Sequence, residues 1–205
     1  MIKIGILGDI GAGKSYIAKN FGYPVFNADV EVGKLYKENK KIFNKLKKIL
    51  PKYVHLFPVS KDEICNAILA NKSNLKKIVA VVHLEIRKKM NIFLNKNKNK
   101  KIIILDIPLL LENKINKKND ILIFVKSKKS DISKKLKKRK NFNPKLLSKF
   151  KSIQLPLDYK MNKSQFIIKN NFTNKSVNKS IKKILKNILW NERSYIRYGN
   201  DRLIC

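Results

Sequence analysis

The chain has 205 residues, 43% hydrophobic and 9% aromatic, enough for one globular unit with a full core and a small insertion but too few for two full-size domains. Its formal charge of +34 comes from 48 Lys and Arg against 14 Asp and Glu; only five of the 48 are arginine, and lysine alternates with asparagine in runs such as "NKNKNKK" (95–101). A surface that reads bases favours Arg and interleaved aromatics, so this pattern looks like compositional drift, predicts salt-dependent adhesion to polyanions, and gives only weak support to a dedicated nucleic-acid function. Two distant cysteines, Cys65 and Cys205, exclude a disulfide framework and a zinc cluster. The start "MIKIGILG" lacks a signal-peptide pattern and the longest apolar run is broken by Asp106 and Pro108, so a cytoplasmic protein with no membrane span is expected.

Residues 2–7, "IKIGIL", read as a short buried strand; a Gly-rich loop follows, and "KSYIAKNF" opens a helix at Lys14. "VF" (25–26) is a second strand ending at "NAD", and 29–50 is predicted as one helix with Ile42, Phe43, Leu46, Ile49 and Leu50 on a face, stopped by Pro51. Ser60 and Glu63 have capping-box spacing for a helix to about Ala70, and a longer helix covers 74–94. The apolar runs 101–106, 120–125 and 165–170 are strands of the kind buried on both sides of a parallel sheet. Basic helical stretches at 130–140 and 144–153 lie between the last two, and an amphipathic helix carrying Val177, Ile181, Ile184, Leu185, Ile188 and Leu189 inward closes the chain. This alternation argues for a parallel α/β fold.

"GDIGAGKS" fits G-x-x-x-x-G-K-[ST]: a phosphate loop whose turning backbone N–H groups and helix N-terminus attract anions. Gly11, Ala12, Gly13, Lys14, Ser15 and Tyr16 are the predicted ATP contacts, with Lys14 reaching the β/γ-phosphates and Ser15 ligating Mg²⁺. Ligands of parallel sheets gather at the carboxyl ends of the strands, where Asp29 and Asp106 converge with the loop. Asp29 is the candidate for activating a hydroxyl; Asp106 reads equally as a metal-site acid or a turn residue. Arg139, one of two arginines before residue 190, suits a transferring phosphoryl better than its lysine neighbours do. His83 and Arg87 lie four apart on one helix face, a pair that reads either as structural or as binding an anionic substrate.

With these residues in place the chain resembles the dephospho-coenzyme A kinase family. The family opening is matched by "GILGDIGAGKSY", its catalytic acid segment by "NADVEVGKLY", its histidine segment by "HLEIR", its "PLL.E" segment by "DIPLLLEN", an R…Q pattern by Arg139 and Gln154, and its late strand by "FIIKNN". The resemblance spans about residues 1–190 and implies catalysis by Asp29, Lys14 and Arg139, an ATP contact at Asn170, and acceptor contacts at His83, Arg87, Pro108, Leu109, Leu110 and Glu112. It departs from the pattern at Asp9, Tyr16, Asn27, Cys65, Leu84, Lys135 and Gln165.

The fold class expected is a P-loop three-layer α/β/α unit with a five-stranded parallel sheet: core at 1–29, 101–128 and 156–190, helical acceptor subdomain at 30–100, lid at 129–155, tail at 191–205. The resemblance implies transfer of the ATP γ-phosphate to the ribose 3′-hydroxyl of dephospho-CoA, with Mg²⁺ accompanying ATP, by a monomer or weak homo-oligomer. Two other readings stay open: a nucleoside monophosphate or other small-molecule kinase, and a basic P-loop ATPase that binds nucleic acid. Asp9, an acid inside the loop, is expected to turn outward toward lysines, since aimed inward it would repel ATP.

Overall fold

The computed structural model describes residues 1–140 and 142–197, with the backbone alone for 191–197. Five strands, β1 (Ile2–Gly8), β2 (Val25–Asn27), β3 (Ile102–Asp106), β4 (Ile121–Lys126) and β5 (Phe166–Lys169), form a parallel sheet in the order β2-β3-β1-β4-β5. Helix α1 (Lys14–Asn20) follows the loop after β1; α2 (Ala28–Glu38), α3 (Lys40–Ile49), α4 (Lys61–Ala70) and α5 (Lys72–Lys96) all lie between β2 and β3. After β4 come α6 (Lys129–Lys137), α7 (Pro144–Lys151) and α8 (Leu157–Asn162), and after β5 the long α9 (Asn174–Arg197).

The strands are apolar throughout because both sheet faces are covered. Alternate residues of β3 part company: Ile103 and Leu105 join Phe26, Leu122 and Phe124 against α2 to α5, while Ile102 and Ile104 join Ile4, Ile6 and Ile123 against α1 and α9. Val177, Ile181, Ile184 and Ile188 form the buried stripe of α9, with Leu185 and Leu189 partly covered, as their spacing predicts. No helix among the described residues is long and apolar enough to cross a membrane.

Three sequence expectations need correction. The helix expected over 29–50 is two helices, because Asn39 takes an extended conformation (φ −103°, ψ 94°) and its side chain accepts from the Ile42 N–H, ending α2 and capping α3 at one residue. Helix α8 was not anticipated; it has only six residues and no apolar repeat long enough to register. The supposed tail begins inside α9, whose backbone continues to Arg197, and 198–205 lie outside the described residues. Ser60 and Glu63 form the predicted capping box in both directions.

Candidate active site

The parallel arrangement brings the carboxyl ends of β1, β2 and β3 to one edge, and with them the phosphate loop, Asp29 and Asp106. Gly13 takes φ 91°, open to glycine without strain, and a Cβ there would stand 2.5 Å from Asn170 Nδ2. The asparagine amide occupies that space: 3% exposed, Asn170 donates from Nδ2 to Ala12 O at 2.8 Å and accepts at Oδ1 from Phe172 N–H at 2.9 Å. Ser127 Oγ donates to the same Ala12 carbonyl at 3.1 Å. Asn170, expected to touch ATP, is bonded to the loop itself, and Ser127 is a second support that no sequence motif announced.

Lys14 Nζ donates to Gly8 O at 3.1 Å and Asp9 O at 2.8 Å. Burial weakens its hold on its proton; Asp106, Asp9 and Asp29 strengthen it, while the Lys160 ammonium opposes it. The Ser15 hydroxyl is exposed on the first turn of α1, and Tyr16, also exposed, hydrogen-bonds through its OH to Asn174 Oδ1 and so ties α1 to α9. Asp9 accepts from the Ile10 N–H at 2.7 Å and its other oxygen faces Lys151 Nζ of α7 at 3.8 Å. The acid inside the loop thus turns toward a lysine.

Asp29 stands in the first turn of α2, where the helix N-terminus favours a negative charge. Its side chain is exposed to solvent, yet the protein packed around it raises its pKa; the charge of Asp106 raises it further, against the pull of Lys14, Arg139 and Lys61. Asp106, 3% exposed at the end of β3, accepts a hydrogen bond from Asn27 Nδ2 at 2.6 Å. Asn27, where the family carries an acid, also accepts from the Val30 N–H at 2.9 Å, so one amide caps α2 and orients the β3 carboxylate. Arg139 lies exposed just past α6, and its charge is felt at Asp29.

On the acceptor side, Arg87 Nε donates to His83 Nε2 at 3.2 Å and Arg87 Nη2 to Asn113 O at 2.9 Å, tying α5 to the loop after β3. Burial and the adjacent guanidinium lower the His83 pKa, so the imidazole is neutral at pH 7 and the pair carries one positive charge. Pro108 is exposed, and Leu109 takes φ 60°, a left-handed conformation costing about 1–2 kcal/mol for a residue with a Cβ. Leu110 is 1% exposed and packs where a Cβ on Gly5 would lie, 2.6 Å from Leu110 Cδ2. Glu112 accepts from the Leu155 N–H at 3.0 Å and pairs with Lys160 Nζ of α8 at 2.6 Å. Leu110 and Glu112 are thus structural supports, one packed against β1 and the other paired with α8, while Arg87 ties α5 to the loop that Pro108 and Leu109 begin. Lys160 has no sequence signal: it is one lysine in a chain with 48 Lys and Arg, and only folding shows it buried.

Two other departures from the family pattern have plain structural places. Lys135 lies over the Phe172 ring at 5.4 Å, and Gln165 Oε1 accepts from the Leu122 N–H at 2.7 Å, extending the pairing at the start of β4.

The family model described as Dephospho-CoA kinase matches residues 2–176. A dephospho-CoA kinase from Wolbachia sp. subsp. Brugia malayi is 33% identical over 179 residues, covering 85% of this chain and 91% of that relative. One from Bartonella quintana is 31% identical over 170 residues, covering 80% and 87%. The fold is shared with a crystal structure from Thermus thermophilus (TM-score 0.71, 24% identity, 93% of this chain and 97% of that one) and with the dephospho-CoA kinase from Campylobacter jejuni (TM-score 0.59, 21% identity, 91% and 96%). A match from the first strand through the start of α9, together with relatives above 30% identity along most of their own length, establishes that the chain belongs to the dephospho-CoA kinase family.

Proposed function

We propose that the protein transfers the γ-phosphate of ATP to the ribose 3′-hydroxyl of dephospho-CoA, giving coenzyme A and ADP. The observation that carries this reading is the meeting, at one sheet edge, of a phosphate loop with two carboxylates, Asp29 and Asp106, the charge of the second raising the pKa of the first. The loop N–H groups of Gly11, Ala12 and Gly13 and the Lys14 ammonium hold the donor phosphates, with Tyr16 and Asn170 fixing the loop from outside. Asp29 accepts the proton as the hydroxyl oxygen bonds to the γ-phosphorus and the bond to the ADP oxygen breaks. Its raised proton affinity brings it closer to the working pH of a general base. Arg139, in the lid of 129–155, offers a guanidinium to the charge that spreads over the transferring group.

The donor set fits Mg²⁺. The charge of Asp106 opposes the ionisation of Asp29, a conflict that a cation relieves, and a magnesium site needs only one or two carboxylates beside substrate phosphates and water. No cluster of three or more His, Cys, Asp or Glu forms among the described residues. Ser15 and Asp106 are the residues that would hold the ion, which would neutralise donor-phosphate charge.

The helical insertion α2 to α5 covers the acceptor, Arg87 supplying its positive charge and Glu112 and Leu110 keeping the loop after β3 in place. A coupled ADP-release assay compares dephospho-CoA, AMP and RNA as stimulants. Dephospho-CoA is expected to stimulate strongly and the other two weakly; no stimulation by millimolar dephospho-CoA refutes the proposal.

A further inference from the structure

Lys160 is 3% exposed, and its ammonium is matched by one carboxylate, Glu112, at 2.6 Å. A lysine is rarely buried so completely, and exchanging a buried ion pair for apolar residues is often neutral or stabilising. Stability is therefore a weak reason for the pair. Its position suggests another use: α8 packs against β1, whose end leads into the phosphate loop, and Lys160 lies near enough to Lys14 for the two ammonium groups to repel.

Lys14 Nζ donates to Gly8 O and Asp9 O. Lys160 adds a fixed positive charge, offset in part by Glu112, to the field of that ammonium, and a polyphosphate at the loop is attracted by both cations. Glu112 keeps Lys160 in place while also accepting from the Leu155 N–H at the exit of the lid segment, so one carboxylate links cation, lid and the loop after β3.

We propose that Lys160 is a positioning residue for the phosphate donor: a buried cation, clamped by Glu112, that acts through Lys14 to strengthen binding of the nucleotide triphosphate. The inference rests on the kinase reading for its donor but not for its acceptor, so it is tested by nucleotide binding without acceptor. The double variant Lys160→Met with Glu112→Gln removes both charges and keeps an oxygen for the Leu155 N–H, avoiding an orphaned buried ion. Lys160→Arg keeps the charge. Calorimetric titration with MgATP is expected to show a loss of about tenfold or more in affinity for the double variant, and a change of under about threefold for the arginine variant. Steady-state assays should show a rise in the double variant's KM for ATP that the arginine variant does not share.

Parent-like ATP affinity in the double variant overturns the proposal. So does an arginine variant that itself loses about tenfold or more, since packing rather than charge would then govern; this arm decides even if the double variant does not fold. A parent protein that binds ATP but ignores dephospho-CoA refutes the acceptor assignment and leaves this inference standing.

Discussion

Asn170→Ala removes the bracket that holds the phosphate loop, and the structure sets the size of the effect. The Phe172 N–H, partly buried, loses its only side-chain acceptor, a cost of about 1–2 kcal/mol. The Ala12 carbonyl keeps Ser127 Oγ as a donor and loses about 0.5–1.5 kcal/mol. Together these come to about 1.5–3.5 kcal/mol, or a melting temperature lower by about 3–14 °C for a chain of this length. The amide also fills the space beside Gly13, so the loop loosens and ATP affinity should fall by about tenfold. Thermal melts and ATP titrations measure both quantities. Asn170→Asp is the companion variant: it keeps an oxygen for the Phe172 N–H but sets a carboxylate against Ala12 O beside the phosphate site, so it should recover part of the melting temperature and none of the affinity. An alanine variant that melts within about 2 °C of the parent and binds ATP equally well refutes the bracket.

Asp29→Asn should cut turnover by orders of magnitude with little change in ATP binding, and near-normal turnover would remove its role as base. Its folded-state pKa lies above the ordinary 3.8, so the charged form weakens the fold at neutral pH; the asparagine variant should melt higher at pH 7, an advantage that fades as pH falls through the folded pKa and is gone below 3.8. Arg87→Ala should raise the acceptor KM far more than the ATP KM, while His83→Gln, which keeps an acceptor for Arg87 Nε, should do less because the imidazole is already neutral; equal losses contradict that division. Asp9→Gly should leave ATP affinity unchanged or raise it, since the carboxylate already faces Lys151, and a sharp loss in calorimetry would show that the acid contributes to the site.

Much of the fold was legible because its signals are local. Continuous apolar strands, the loop glycines before Lys14, and the Ser60 and Glu63 pair each follow from neighbours within a few residues, and the structure has all of them where expected. The break at Asn39 was hidden because an apolar stripe on either side looks like one helix, whereas a single capping side chain makes two.

The phosphate loop and the acids at the strand ends were thus determined by sequence alone, since backbone turn chemistry and strand polarity dictate where such residues emerge. Folding decided how those groups are held and charged. Asn27 meets Asp106 from 79 residues away, Asn170 reaches Ala12 across 158, and Glu112 finds Lys160 on a helix too short to announce itself. Burial turns one lysine of a lysine-rich chain into a fixed cation beside the phosphate loop, and the desolvation and pair distances behind that change exist only once the strands have brought the segments together.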